Sequence, residues 1–168
     1  MTSRRAGARI LATLIDVACM LPWIVVVAAA GAVLYASGAT GAADDITGNL
    51  VGFVTLIVPI TIAAAGFEGA TRHATPGKRA LRIRVTSAEG APGFVRSLAR
   101  NAIKYALPWE LAHTAVFALV GSAGQTPVWV AVVLGAAYVV PIGSLVLLLT
   151  TGRALHDRVA RTGVAAAS

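Results

Sequence analysis

Charged residues are scarce in this chain of 168 residues, where Asp, Glu, Lys and Arg make up only 12%. An ordinary soluble domain carries about 25%. Hydrophobic residues make up 57% and the mean hydropathy is +0.79, which excludes a typical water-soluble domain and indicates a lipid environment. The net charge is +7, but the basic residues flank apolar runs as they do in membrane proteins, so we expect no nucleic-acid partner.

Cysteine is almost absent, and no grouping of residues predicts a catalytic or metal site. Cys19 has no partner for an intrachain disulfide. The spacing of His73, His113 and His156 does not bring them together as metal ligands. The TPGK sequence lacks the G-x-x-x-x-G-K-[ST] spacing of a phosphate-binding loop. We therefore expect no metal, no cofactor and no enzymatic activity.

Four apolar segments predict membrane-spanning helices, each of which needs about 20 residues. These segments are residues 10–36, 49–67, 105–123 and 127–150. The first is too long for a signal peptide and carries an acid, so we expect it to be retained. The connections at 37–48 and 121–127 are short and contain no basic residue.

The basic residues predict the orientation of these spans. All fourteen lie in three places: before the first span, between residues 72 and 104, and in the tail 151–168. With four spans these places fall on one side of the membrane, and the positive-inside rule makes that side the cytoplasm. Arginine outnumbers lysine twelve to two, which is typical of a GC-rich bacterial genome. We therefore expect a multi-pass protein of a bacterial plasma membrane with both termini in the cytoplasm.

The segment 68–104 is the one long polar interruption, and we expect it to form a cytoplasmic insert. Residues 81–86, LRIRVT, alternate apolar and basic side chains as a half-buried strand does, and Glu89-Gly90 predicts a turn. Residues 92–104 predict an amphipathic helix. Its cations are Arg96, Arg100 and Lys104. Two placements are equally compatible with this pattern: the cations contact anionic lipid headgroups, or the helix is solvated and packs on its own protein.

Three motifs in this order resemble the RDD family of bacterial membrane proteins, which is named for one arginine and two aspartates. ARILATLID contains Arg9 and Asp16, TPGKRALRIRVTSAEG resembles the family's central segment, and RALHDRVARTGV supplies Asp157 as the second aspartate. Arg82 stands where members often have glycine, which would alter the local shape of the loop. The resemblance implies a single membrane domain over 1–168. Because some members have been linked to ion exchange, the resemblance also implies a transport function as an alternative.

The acidic residues within the spans allow two interpretations. Asp16 is costly in a span unless paired, and we expect a base from Arg96, Arg100 or Arg153 to meet it. The first interpretation is a structural charge network at the cytoplasmic ends of the spans. Its further partners would be Arg153, His156 and Arg158. The second is a cation or proton relay, formed by Asp16, Glu110 and His113, of which the last two share a helix face.

Three functions remain open from the sequence. The first is a small accessory or assembly subunit of a larger membrane complex, contacting anionic lipids and a membrane-protein partner or further copies of itself. The second is an oligomeric cation/proton exchanger, and the third is a lipid-binding membrane protein. The predicted fold for all three is an all-α membrane protein with four transmembrane helices and a strand-turn-helix insert between the second and third.

Overall fold

The computed structural model describes residues 2–38, 45–122 and 126–167, with side chains for all of these except residues 2–5, 45 and 121. The predicted connections 37–48 and 121–127 therefore lie partly outside the described residues. The helices are α1 (Thr2–Ala36), α2 (Asp45–Gly52), α3 (Val58–Gly69), α4 (Pro76–Ala80), α5 (Gly93–Asn101), α6 (Leu107–Gly121), α7 (Val128–Thr151) and α8 (Leu155–Val159). The strands are β1 (Ile83–Ser87) and β2 (Thr162–Ala166).

Three helical stretches in the described part of the chain are long and apolar enough to cross a membrane. They are Ala6–Ala36, Ile46–Gly69 and Val128–Thr151, which correspond to the first, second and fourth predicted spans. The third predicted span, 105–123, is not among them. Its main helix, α6, has only 15 residues, and Glu110 and His113 reduce its hydropathy.

Two short π-helical segments join neighbouring helices into continuous ones. Residues Phe53–Ile57 connect α2 to α3, and Ala102–Ala106 connect α5 to α6. Each segment is followed within two residues by a proline, Pro59 or Pro108. Proline has no N–H, and its ring clashes with the carbonyl group four residues earlier. A single wider turn accommodates both problems without breaking the helix.

The structure has a strand and a turn within the predicted insert, and the strand pairs with a partner that was not predicted. β1 occupies 83–87 instead of 81–86, and it pairs antiparallel with β2 from the tail, with Val85 opposite Val164. A bridge between Ser87 and Gly90 closes the predicted turn. The fold is therefore mainly helical with a two-stranded sheet, and the sheet joins the insert to the tail.

Arg82, which precedes β1, has a positive φ of 52°. In this left-handed region a side chain costs about 1–2 kcal/mol, a cost that glycine avoids. The turn at position 82 thus has a backbone conformation that favours glycine over arginine. Arg82 does not prevent the turn, since its carbonyl group accepts a hydrogen bond from Ala167 N at 2.7 Å.

The insert and the tail lie together at one end of the long helices. α4 packs on α1, α5 on α3, and α8 on both α5 and α7. Farther along the helices, α6 packs on α2 and α7, and a small apolar cluster forms around Leu56, Ile57 and Ile60. The largest fully buried side chains, however, include Arg100, Glu68 and Asn101, so the best-packed region of the molecule is polar.

Candidate functional site: a buried charge network

Asp157 on α8 lies between two arginines from different helices. Its Oδ2 accepts a hydrogen bond from Arg9 on α1, and its Oδ1 accepts one from Arg100 on α5. Oδ2 also accepts the backbone N–H of Ala154 at 3.0 Å. The Asp157 side chain is fully buried. One carboxylate thus connects the start of α1, the insert and the tail.

Glu68, at the end of α3, occupies the centre of the same network. Its Oε2 lies 3.2 Å from Arg100 Nε, and its Oε1 lies 2.8 Å from Lys78 Nζ. The Asn101 amide donates a further hydrogen bond to Oε2 at 2.9 Å. Glu68 has no exposed surface. Its two oxygens therefore connect the second long helix to α4 and α5.

Asp16 is bound by the TPGK segment. Its Oδ1 accepts the Gly77 N–H at 2.8 Å, and its Oδ2 accepts the Thr75 hydroxyl at 2.7 Å. Lys78 Nζ lies 3.8 Å from the same carboxylate and donates a hydrogen bond to Thr75 at 3.1 Å. A Cβ atom at Gly77 would lie 2.0 Å from the Ala12 carbonyl oxygen. Glycine is therefore required for α4 to approach α1 closely enough to bind Asp16.

These contacts form a closed path that begins and ends on α1. The path contains, in order, Arg9, Asp157, Arg100, Glu68, Lys78 and Asp16. Three cations alternate with three anions, so the network is neutral. All six side chains are at most 10% exposed. A buried charge is tolerated when it is paired and hydrogen-bonded, and each of these has at least one partner of opposite charge.

The network also affects the titration of its neighbours in the tail. Burial alone would raise the pKa of Asp157, but Arg100 and Arg9 outweigh it and hold that pKa below its ordinary value. Burial, assisted by Arg100, lowers the pKa of His156 to about 3. His156 Nε2 lies 3.8 Å from Asp157 Oδ1. The imidazole is therefore neutral in the folded protein at neutral and mildly acidic pH.

This neutral histidine predicts a pH-dependent stability. The unfolded chain takes up a proton on His156 near pH 6.5, whereas the folded protein does so only near pH 3. Because the unfolded state binds more protons in this window, the free energy of unfolding should rise with pH by up to about 1.4 kcal/mol per pH unit. Denaturant unfolding in mild detergent between about pH 4.5 and 6.5 measures this slope. His156→Gln should flatten it, and an unchanged slope would contradict the assignment.

The amphipathic helix is oriented opposite to the lipid-contact prediction. Its buried residues are Ser97, Arg100 and Asn101, whereas Phe94 and Val95 are exposed. The polar face of α5 thus packs on the network. The helix packs on the protein, as in the alternative placement, but with its polar face inward, which a solvated helix does not predict. Arg100, predicted to contact lipid headgroups, is 1% exposed and ion-paired. That prediction is wrong for Arg100 because its guanidinium group neutralises two buried carboxylates.

The other two predicted headgroup contacts have different surroundings. Arg96 donates to both oxygens of Glu89, at 2.7 and 2.8 Å, in an exposed ion pair, and this arginine lowers the pKa of Glu89. Lys104 donates to the Tyr105 hydroxyl at 2.8 Å.

The predicted tail partners of the network lie at its edge. Arg153 donates to the Thr162 carbonyl oxygen at 2.9 Å, and Arg158 donates to the Thr151 hydroxyl at 2.8 Å. Neither pairs with a carboxylate in the described part of the chain. Of the three predicted tail partners, His156 is the one that approaches Asp157. The expectation that Arg96, Arg100 or Arg153 pairs with Asp16 is wrong, since Lys78 is its cationic neighbour.

Glu110 and His113 belong to a separate cluster between α2 and α6. Glu110 Oε1 accepts a hydrogen bond from Asn49 at 2.9 Å, and His113 stacks on Trp109 with ring centroids 4.2 Å apart. Buried Glu110 Oε2 and His113 Nδ1 have no hydrogen-bond partner among the described residues. No contact in the described part of the chain joins this cluster to Asp16. The predicted three-residue relay is therefore divided between two places.

Two cavities adjoin the charge network. One, of about 290 Å³, lies between α1, the 102–106 turn, α7 and α8, and includes Arg9, Arg100 and Lys104 in its lining. The other, of about 330 Å³, lies between α1 and α3 beside Asp16 and is otherwise mostly apolar. Glu110 lines neither of these two cavities.

Several residues of the network were not predicted from the sequence. Glu68 was included only as the first residue of the polar insert, and Lys78 only as part of the TPGK motif. Asn101 was not singled out. One signal was available: Glu68, Asp16 and Asp157 all fall near the same ends of the predicted spans. Three such acids require three compensating bases, and Lys78 of the TPGK motif is one of the bases available.

Comparisons with known proteins agree with the motifs that build this network. Neither the curated proteins nor the solved structures gave a significant match. A family model described as RDD family matches residues 4–161, which include all six charges of the network. The arginine and the two aspartates of the family resemblance, Arg9, Asp16 and Asp157, are thus members of one neutral path. The chain belongs to the RDD family.

Proposed function

We propose that this protein is a non-catalytic accessory or assembly subunit of a larger complex in a bacterial plasma membrane. The supporting observation is that Asp16, the carboxylate within the first apolar helix, is fully bonded to its neighbours. Asp16 has three hydrogen-bonding or ionic partners and belongs to a neutral network. An ion-exchange site needs a carboxylate that can release its partners and meet a cation, and an acid so fully bonded is better suited to holding helices together.

The proposed topology has four spans with both termini and the insert in the cytoplasm. β2 pairs with β1, and Asp157 pairs with Arg9, so the tail, the insert and the start of α1 share one end of the molecule. α7 runs toward that end, so the chain must first cross to the other end. The 102–106 turn plus α6 provide 20 residues, about 30 Å of helix, for that crossing.

The exposed surface of α1 supports a membrane-protein partner. No residue in the most apolar window of α1 is buried, and Ala28 and Ala32 are both exposed. Small residues four apart let a second helix approach closely in the membrane.

The test is affinity purification of the tagged full chain from its native membranes in mild detergent. We expect a stoichiometric membrane partner. Ala28→Leu should remove it without unfolding the protein, and Val26→Leu, on another face of the same helix, should retain it. A pure homo-oligomer with no partner would contradict the accessory role.

Cation/proton exchange is the second candidate, and the Glu110 cluster favours it. Two buried polar atoms without partners, Glu110 Oε2 and His113 Nδ1, are groups that can exchange protons. Reconstituted protein should then show cation-driven proton flux that Glu110→Gln abolishes. The accessory proposal predicts the same background flux in the wild type, in Asp16→Asn and in Glu110→Gln.

A further inference from the structure

The cavity between α1, the 102–106 turn, α7 and α8 has an unbalanced charge. Four cations line it, namely Arg9, Lys78, Arg100 and Lys104, and its lining contains no carboxylate. The first three are neutralised by Asp157, Glu68 and Asp16, none of which lines the cavity. Among the described residues, no carboxylate lies within 4.0 Å of Lys104 Nζ. The cavity therefore presents one uncompensated positive charge.

Part of the cavity wall is apolar and reaches the outer surface of the helices. Ile10, Leu14 and Leu145 line the cavity, yet each is also substantially exposed, with Leu14 at 60%. These residues lie on α1 and α7, two of the helices long and apolar enough to cross a membrane. An apolar chain can therefore extend from the cavity along the lipid-facing surface.

Further polar groups lie near Lys104 in this cavity. The Tyr105 hydroxyl accepts its hydrogen bond, and Ser144 and His156 lie 3.3 Å apart across the lining. The volume of about 290 Å³ is at the lower limit of ligand pockets, about 300–1,000 Å³. It is suited to a headgroup but not to a whole lipid.

We propose that this cavity binds the headgroup of an anionic phospholipid, with the phosphate beside Lys104 and an acyl chain along Leu14 and Leu145. The headgroup supplies the negative charge that the lining lacks, and the chain covers the apolar wall. This inference goes beyond the accessory role and does not depend on it.

The test measures ligand-dependent thermal stabilisation of the full chain in neutral detergent. A ligand that binds the folded state raises the melting temperature according to its concentration and affinity. The probes are phosphatidylglycerol, phosphatidylcholine and inorganic phosphate. We expect saturable stabilisation by phosphatidylglycerol only, since phosphatidylcholine has no net charge and inorganic phosphate has no apolar part.

Matched variants distinguish this site from general surface attraction. Lys104→Gln should weaken the phosphatidylglycerol effect at least 10-fold, and Lys104→Arg should restore most of it. Arg96→Gln, which removes an exposed cation from the same helix, should leave it unchanged. If Lys104→Gln does not fold, Leu145→Trp, which fills the apolar side at an exposed position, should abolish the stabilisation instead.

Four results would overturn the proposal. Equal stabilisation by phosphatidylcholine would indicate general solvation by lipid, and an equal loss in Arg96→Gln and Lys104→Gln would indicate diffuse attraction. Full stabilisation by inorganic phosphate would indicate a free anion as the ligand. Unchanged binding in Leu145→Trp would exclude the acyl-chain path.

Discussion

Replacing Asp157 by asparagine is expected to lower the free energy of unfolding by about 3–5 kcal/mol, the cost of breaking a buried ion pair by removing one partner. Asparagine has almost the same shape but no charge. Arg9 would lose its ion-pair partner, and Arg100 would retain Glu68 as its one carboxylate partner among the described residues. The amide NH₂ of the new asparagine would also face a guanidinium group. Denaturant unfolding in mild detergent, followed by circular dichroism, measures the change.

The matched control is Glu89→Gln, which also neutralises an acid paired with an arginine. The Glu89–Arg96 pair is exposed, so water and salt screen it and its loss should be small by comparison. If both substitutions lowered the free energy of unfolding equally, the account that burial makes the network's ion pairs important for stability would be contradicted.

Replacing Gly77 by alanine is expected to cause the second large effect, loss of most of the folded protein. The added Cβ would lie 2.0 Å from the Ala12 carbonyl oxygen and 2.9 Å from Asp16 Oδ1. Because the nearest atom belongs to the helix backbone, it cannot rotate away, and α4 must move from α1. Asp16 would then lose the Gly77 N–H and the Thr75 hydroxyl. Overpacking of this kind costs about 1–3 kcal/mol or more, and lost hydrogen bonds add to it.

Gly66→Ala provides the control for this substitution. Gly66 lies on α3 near the same end of the molecule, and a Cβ there would meet nothing within 4 Å. Since alanine is the better helix former, this change should leave stability equal or slightly higher. Size-exclusion chromatography of both variants in detergent would show a monodisperse peak for Gly66→Ala and a reduced one for Gly77→Ala. A normal peak and melting temperature for Gly77→Ala would contradict the close packing of α4 on α1.

The parts of the fold that were predictable are those set by local pattern. Long apolar runs predicted the three helical stretches that, among the described residues, are long and apolar enough to cross a membrane. The alternation of apolar and basic residues in LRIRVT predicted β1 to within two residues. The partner of β1 was not predictable in the same way. β2 is a short segment, TGVAA, whose strand conformation depends on pairing with residues about 80 positions earlier.

The candidate site was predictable in kind but not in its contacts. The cost of burying Asp16 required a partner, and a network at one end of the helices followed from that requirement. The identity of the partner depends on how α4 packs on α1, which Gly77 permits and no periodicity in the sequence reveals. The orientation of α5 was ambiguous for a related reason: a polar helix face meets water in most proteins, but here it meets buried carboxylates.

The charges Arg9, Asp16 and Asp157 belong to one energetically coupled network, and a double-mutant cycle tests this coupling most directly. The cycle compares Arg9→Met, Asp157→Asn and the double variant by denaturant unfolding. Arg9→Met removes a cation that Asp157→Asn would leave unpaired, so the double variant should be more stable than the sum of the single effects predicts, by about 1.5 kcal/mol or more. Asp157→Asn combined with Glu89→Gln, which removes the exposed partner of Arg96 outside the network, should be additive within about 0.5 kcal/mol. Additivity in both cycles would contradict the network.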